Sequence, residues 1–166
     1  MAVKKILSYP EAKNILTSKS QAAQANDLKA GELVQDLKDT LMATERGVGL
    51  AAPQIGVLKR VFVLKREYIA ADLGAHSHFN SLSGAILVFI NPKIISRKGE
   101  ICQEEGCLSV PDTYIKIERA KTIKIKAQDE TGSQFYERFA GLAARAIQQE
   151  IDHLDGILIL NHKQNE

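Results

Sequence analysis

The sequence of 166 residues predicts an α+β fold with antiparallel strands. Short runs with the alternation or apolar continuity of strands outnumber the helical patterns, and most neighbouring runs are joined by turns. An alternating order of strand and helix, which would indicate a parallel sheet, is not seen. We expect a single domain over residues 1–166, because this length suits one hydrophobic core.

Two helices are predicted. The first covers residues 31–46 and ends at Gly47, a natural helix stop. Its apolar positions recur at helical spacing and are Leu33, Val34, Leu37, Leu41 and Met42. The second covers residues 141–154 and ends before Gly156. Its apolar stripe is expected to comprise Leu142, Ala146, Ile147 and Leu154.

Six strands are predicted, and they cover residues 60–65, 85–90, 114–117, 122–127, 134–139 and 157–160. Residues 70–84 are rich in small polar residues and predict an exposed loop, and residues 161–166 form a polar tail. Residues 47–56 are too rich in glycine for a regular element and too apolar for a solvated linker. We therefore expect that segment to lie close against another part of the molecule.

Composition excludes several classes of protein. The net charge of +2 comes from 22 Lys and Arg against 20 Asp and Glu, which gives no reason to expect nucleic acid as the main partner. No apolar run approaches the roughly 18 residues that a membrane span needs, and the amino terminus lacks a signal-peptide pattern. We expect a cytoplasmic protein, in which Cys102 and Cys107 are thiols.

Taken singly, the polar candidates indicate little. His76, His78 and His162 are expected at the solvent surface, and a lone cysteine such as Cys107 is usually a small buried apolar side chain. On the second helix, Gln149 and His153 lie one turn apart on the same face. With histidine at position 149 this segment would read H-E-x-x-H, the spacing of a helical metal site.

Three segments together resemble the motifs of peptide deformylases, whose patterns are G-x-G-x-A-A-x-Q, E-G-C-L-S and H-E-x-x-H. The segments are residues 47–54 (GVGLAAPQ), 105–109 (EGCLS) and 149–153 (QEIDH), in that order along the chain. The likeness extends from about Ile6 to Leu160. It implies the deformylase fold, with antiparallel sheets packed around the helix that carries the third motif.

The resemblance also implies an activity, which is removal of the formyl group from N-formylmethionyl nascent peptides. It implies one divalent metal, commonly Fe²⁺ and often Zn²⁺ or Ni²⁺ after isolation, with water as the fourth ligand. By position, Cys107 and His153 would be metal ligands. Glu150 would be the general base that takes a proton from water and returns it to the leaving amine.

Further roles follow from the same resemblance. The side-chain amide of Gln54 and the backbone N–H of Leu108 would stabilise the oxyanion. The backbone of Val48, Gly49 and Leu50 would pair with the substrate peptide as an added strand. Gly106 and Leu142 complete the expected substrate-binding set.

Position 149 departs from the family pattern, because the family has histidine where this chain has Gln149. An amide oxygen keeps the ligand neutral, but it is a poorer donor to Fe²⁺ or Zn²⁺ than imidazole. We therefore expect weaker metal binding and impaired activity. The sequence also ends soon after Leu160, where many bacterial members continue into a helix. Contact with the ribosome is a possible partner interaction, but the short tail gives it no support.

Two alternatives stay open. One is an inactive homologue that binds formyl-Met peptides without a tightly held metal. The other is hydrolysis without metal, with Cys107 as nucleophile and His153 as base, and this requires a depressed thiol pKa.

Overall fold

A five-stranded antiparallel sheet, with the strands in chain order, forms the centre of the fold. The computed structural model describes residues 2–24 and 28–162, with the backbone alone at 28–30. The strands are β1 (Gly49–Ala51), β2 (Val61–Lys65), β3 (Ile86–Cys107), β4 (Val110–Gln128) and β5 (Gln134–Ala140). The α-helices are α1 (Lys13–Leu16), α2 (Leu28–Met42), α3 (Arg66–Ile69) and α4 (Gly141–Leu154). Short 3-10 helices cover Ala52–Ile55, Ala70–Asp72, His78–Ser81 and Ile159–His162.

Each face of the sheet buries a different helix. Strand residues alternate between the two faces, so neighbouring residues contribute to different cores. On the inner face, α4 packs on a cluster that includes Phe62, Phe89, Ile123, Ile125 and Phe139. On the outer face, α2 covers only the first strands, where its leucines meet Val61, Val63 and Val88. The outer face of β4 and β5 is left uncovered by α2.

The long hairpin of β3 and β4 places the second motif. Its register runs from Ile90 opposite Gln128 to Cys107 opposite Val110, with bulges at three points. Cys107 therefore lies at the last pair before the turn. The hairpin curves so that this end lies beside β1 and α4, and the site described below is formed there.

The α+β class is confirmed, and so are both bounds of the second helix, which is α4. The first helix, α2, begins at Leu28 and ends at Met42, four residues before the predicted end. The prediction that Met42 belongs to its apolar stripe is wrong, because Met42 is 57% exposed. At 100° per residue, position 42 points away from the arc that holds the buried leucines.

Five of the six strand predictions are right in location, but the lengths predicted at the hairpin are wrong. Residues 85–90 open β3, whereas 114–117 and 122–127 are two parts of the single strand β4. Asn91 and Pro92 are residue types that interrupt regular strands, and the first register shift of the hairpin accommodates them. Residues 134–139 lie within β5. The predicted strand 60–65 begins one residue before β2 and ends with it. Residues 47–56, predicted as irregular, contain the short strand β1.

Two further predictions are wrong. Residues 157–160 are not a strand, because Leu158 N–H donates to the Asn161 side chain and the chain closes into a 3-10 helix. This helix includes the first two residues of the predicted tail, and 163–166 lie outside the described residues. His78 is not a solvent histidine. Its Nε2 lies 2.7 Å from Asp129 Oδ2 and its ring stacks on Phe135.

In the part of the chain that the structure describes, no helix combines the length and apolar composition that a membrane crossing requires.

Replacing Phe139 by Ala is expected to lower the free energy of unfolding by about 3–5 kcal/mol, because Phe139 is fully buried between the sheet and α4. Urea denaturation would measure the change. Tyr136→Ala on the same strand is the matched control, since Tyr136 lies on the outer face and is 55% exposed. The control is expected to cost less than about 1 kcal/mol. Equal costs would contradict the assigned faces.

Candidate active site

Cys107 and His153, separated by 46 residues, lie in contact. The thiol Sγ is 3.3 Å from His153 Nε2. Cys107 is held at the end of β3 by the hairpin register, and His153 projects from the last turn of α4. The structure therefore brings together the two predicted metal ligands.

Burial raises the pKa of the Cys107 thiol to about 12, although backbone N–H groups of Ser109 and Val110 donate to the sulfur and lower it. A thiol with this pKa is protonated at neutral pH, so it is a poor nucleophile by itself. Hydrolysis without metal requires a lowered thiol pKa, so the raised pKa of Cys107 argues against that hypothesis.

His153 is 1% exposed, and burial lowers its pKa to about 4, with the Arg119 charge lowering it further. The imidazole is therefore neutral at pH 7, which is the form that ligates metals. Its Nδ1 is buried and has no hydrogen-bond partner among the described residues.

Glu150 is buried beside this pair at 3% exposure. Burial raises the pKa of its carboxyl to about 8, and the Glu105 charge adds to the rise. Its Oε2 has no hydrogen-bond partner in the part of the molecule described. Gly49 makes room for this carboxyl, because a Cβ at Gly49 would lie 2.8 Å from Glu150 Oε1 and 2.6 Å from Leu64.

Gln54 is fixed by hydrogen bonds at both ends of its amide. Its Oε1 accepts from Ala51 N–H at 2.9 Å, and its Nε2 donates to Ser109 Oγ at 3.1 Å. The same Nε2 lies 3.8 Å from Cys107 Sγ. A buried amide N–H group is thus directed toward the thiol from the 3-10 helix that follows β1.

Gln149 lies at the edge of the site with its amide held in one orientation. Its Nε2 donates to Glu105 Oε1 at 2.9 Å and to the Gly106 carbonyl at 3.1 Å. Both partners are acceptors, so the nitrogen is the atom that faces them. Within the described residues, Gln149 Oε1 has no hydrogen-bond partner and is the donor atom left for a ligand.

A cavity of about 480 Å³ opens over these groups. Of the residues predicted for catalysis or binding, those that line it are Val48, Gly49, Gln54, Gly106, Cys107, Leu108, Leu142, Gln149 and Glu150. Leu50 does not line it, because its side chain is buried in the core under α2. His153 does not line the cavity, but its ring contacts Cys107, which does. A second cavity of about 660 Å³ lies beyond Arg119 and contains no thiol.

A buried ion-pair network supports the site. Arg119 donates from Nε and Nη2 to the two carboxylate oxygens of Glu105, each at 2.9 Å. It also donates to Asp152 at 2.6 Å, and Asp152 lies 2.8 Å from His162 Nε2. Burial lowers the pKa of Arg119, but the carboxylates of Glu105 and Asp152 outweigh it and raise the pKa overall. His162, predicted as a solvent histidine, is instead tied to Asp152.

Sequence reasoning missed Arg119, although a signal exists. Arg119 shares its strand face with Ile115, Ile117 and Ile123 in the alternation of β4. A charged residue at a position where the pattern predicts burial indicates a buried partner of opposite charge.

A family model described as polypeptide deformylase matches residues 3–166. The chain belongs to the polypeptide deformylase family. A peptide deformylase of Caldicellulosiruptor bescii is 42% identical over 161 residues, which are 97% of this chain and 86% of that protein. Peptide deformylase 1 of Clostridium perfringens is 47% identical over 131 residues, which are 79% of each chain.

Solved deformylase structures agree with the fold. A peptide deformylase from Legionella pneumophila matches with a TM-score of 0.80 at 36% identity, covering 98% of this chain and 87% of that one. The enzyme from Thermotoga maritima matches with a TM-score of 0.81 at 30% identity, covering 99% and 100%. The family resemblance drawn from the three motifs is confirmed.

Polypeptide deformylases are metal-dependent, so the donor set must be tested against a metal. Among the described residues, no group of three His, Cys, Asp or Glu side chains is placed to hold one. Cys107, once deprotonated by a bound metal, and His153 would offer a thiolate and a neutral imidazole, ligands that suit Fe²⁺ and Zn²⁺. The remaining candidate for a third ligand is the Gln149 amide. Its nitrogen donates to the Glu105 carboxylate, as the second ring nitrogen of a metal-bound histidine commonly does. The donor set therefore fits a divalent metal, with one weak ligand.

Replacing Arg119 by Gln is expected to lower the free energy of unfolding by about 3–5 kcal/mol, because Glu105 would keep a buried charge without its partner. Urea denaturation at pH 7 would measure it. Arg97→Gln removes the same charge from an exposed site on β3, and its expected cost is below about 0.5 kcal/mol. A small cost at Arg119 would mean that the network is not structural.

Replacing Glu150 by Gln is expected to give a stability advantage that depends on pH in metal-free protein. The wild-type carboxyl ionises near pH 4.5 in the unfolded chain and near pH 8 in the folded one. Ionisation therefore favours unfolding as the pH rises through this window. The advantage of the variant should grow from pH 4.5 to pH 8, up to about 5 kcal/mol, and then level off. Denaturation across this range in chelator would measure it, and a flat difference would contradict the raised pKa.

Proposed function

We propose that this chain hydrolyses the formyl amide of N-formylmethionyl peptides, with reduced efficiency because Gln149 stands at a ligand position. The proposal is carried by one observation, the 3.3 Å contact between Cys107 Sγ and His153 Nε2 beside the buried Glu150. Relatives from several bacteria are named peptide deformylase, which supports the same activity. Nothing in the comparisons favours an inactive homologue that only binds peptides.

Cys107, His153 and the amide oxygen of Gln149 would hold the metal, with Fe²⁺ as the native ion and Zn²⁺ or Ni²⁺ as substitutes. Such an ion, when bound, supplies Lewis-acid polarisation of the formyl oxygen and lowers the pKa of water. The positive charge of the ion would lower the cost of ionising the buried thiol, and the thiolate would in turn balance part of that charge.

Glu150 moves the proton. Its Oε2 has no hydrogen-bond partner among residues 2–24 and 28–162, and its pKa of about 8 lies near the working pH, so it can both accept and return a proton at little cost. In the proposed reaction Oε2 takes the proton of the attacking water. It then gives this proton to the amine as the bond between carbon and nitrogen breaks, and formate leaves.

The oxyanion that develops at the formyl group needs donors that are already in place. Gln54 Nε2 is fixed through Ala51 and Ser109 and faces the thiol at 3.8 Å. The backbone N–H of Leu108 is the second proposed donor. Because both groups are held before substrate arrives, they require no reorganisation in the transition state.

The substrate would lie along β1, which is the edge strand of the sheet. Gly49, Leu50 and Ala51 pair with β2 on one side, and Val48 and Gly49 line the cavity. A peptide can add there as a further strand. Val48, Leu142 and Ala146 provide the apolar wall for the methionine side chain. Nascent formylated peptides in the cytoplasm are the proposed substrates.

Replacing Gln149 by His is expected to restore the missing imidazole. Affinity for Zn²⁺ should rise by about tenfold or more, because imidazole is the better donor to this ion. Release of formate from formyl-Met-Ala-Ser should rise in parallel. Competition with a chromophoric chelator measures the first quantity, and a coupled formate dehydrogenase assay measures the second.

Two control variants make this test specific. Gln134→His introduces the same imidazole at an exposed position of β5 and should change neither quantity. Gln149→His combined with Glu150→Gln should keep the tighter metal binding and lose formate release. If Gln149→His changes neither metal affinity nor turnover, the assignment of position 149 as a ligand position is wrong.

A further inference from the structure

The uncovered part of the outer sheet face is crowded with cations. Cross-strand register places Lys93, Lys126 and Tyr136 in one row, and Ser96, Lys124 and Arg138 in the next. Lys98 lies opposite Thr122 in the row after that. Residues directly opposite share a face of the sheet. We call the set Lys93, Lys98, Lys124, Lys126 and Arg138 the basic face.

Two pairs of like charges lie directly opposite one another, Lys93 with Lys126 and Lys124 with Arg138. Such pairs repel and destabilise a sheet. Among the described residues, none of the five cations of the basic face forms an ion pair with a carboxylate. Glu130, at the nearby turn, is already paired with Lys38, and Glu100, which lies in the row next to Lys98, forms no ion pair with it.

An anionic partner would relieve the repulsion between these cations. The net charge of +2 averages over the whole chain and hides the basic face, because most acids lie elsewhere. Tyr136 lies beside the cations with its ring 55% exposed, and Lys126 Nζ sits 5.9 Å from the ring centroid. The face thus offers positive charge and one accessible aromatic ring.

We infer that the basic face binds single-stranded RNA, with its cations on phosphates and Tyr136 stacked against a base. Single strands present both a phosphate at each nucleotide and unpaired bases, which a sheet surface with an aromatic ring can accept. An acidic protein or an anionic membrane would use the charges but not the ring. This inference goes beyond the proposed hydrolysis and departs from the expectation, drawn from net charge, that nucleic acid is not bound directly.

The test is fluorescence anisotropy with a labelled 20-nucleotide oligouridine over a series of salt concentrations. The full chain is compared with the triple variant Lys124→Gln, Lys126→Gln and Arg138→Gln. Each lost phosphate contact lowers the slope of log affinity against log salt by about 0.7. The triple variant should therefore lose about two units of slope and about tenfold or more in affinity at 0.1 M salt. Tyr136→Ala should weaken binding with no change in slope.

The matched control removes three cations outside the basic face, as Lys5→Gln, Lys13→Gln and Lys19→Gln. It should leave affinity and slope near those of the parent chain. Hydrolysis of a formyl tripeptide should be unchanged in both triple variants, so a failure of the proposed activity is seen separately. Equal losses in both triples, no salt-dependent binding, or tighter binding to phosphatidylglycerol vesicles than to oligouridine would each overturn the inference.

Discussion

The buried ion pair between Arg119 and Glu105 is the interaction on which the site depends. It joins the two strands of the hairpin close to Cys107, and through Asp152 it joins the hairpin to α4. Glu105 also accepts a hydrogen bond from the Gln149 amide. One carboxylate therefore orients both the end of β3 and the side chain at position 149. Buried charges of this kind are costly unless fully paired, and here each oxygen of Glu105 has a donor. The geometry of Cys107 and His153 is fixed because both of their elements are tied to one guanidinium.

Exclusion of water decides the chemistry of the groups that this network positions. The same burial raises the pKa of Glu150, lowers that of His153 and raises that of Cys107. Without a cation, all three are driven to their neutral forms. A divalent metal would reverse the balance for the thiol, which connects metal binding to proton release. Gln149 keeps the hydrogen bond that an imidazole would give to Glu105 while offering a weaker ligand atom. We therefore expect glutamine at this position to weaken metal binding more than it alters the fold.

Much of the fold followed from local pattern. The α4 helix was predicted to the residue, because Gly141 and Gly156 bound a clear apolar period. The length of β3 was not predictable from local pattern, since Asn91 and Pro92 are residue types that end strands and only the shifted pairing with β4 carries the strand past them. The run at 157–160 is apolar enough for a strand, yet the Asn161 side chain closes it into a helical turn. His78 was misplaced because its partner, Asp129, lies 51 residues away.

The sequence by itself determined the family, the candidate reacting groups and the departure at position 149, because these are properties of residue types in a fixed order. Tertiary structure alone decided that Cys107 touches His153, that Glu150 is dry and that Arg119 holds the site. It also decided that five cations share one sheet face. Contact, burial and register depend on which distant segments pack together. The free energy of that packing comes from the whole core, so no local sequence pattern specifies it.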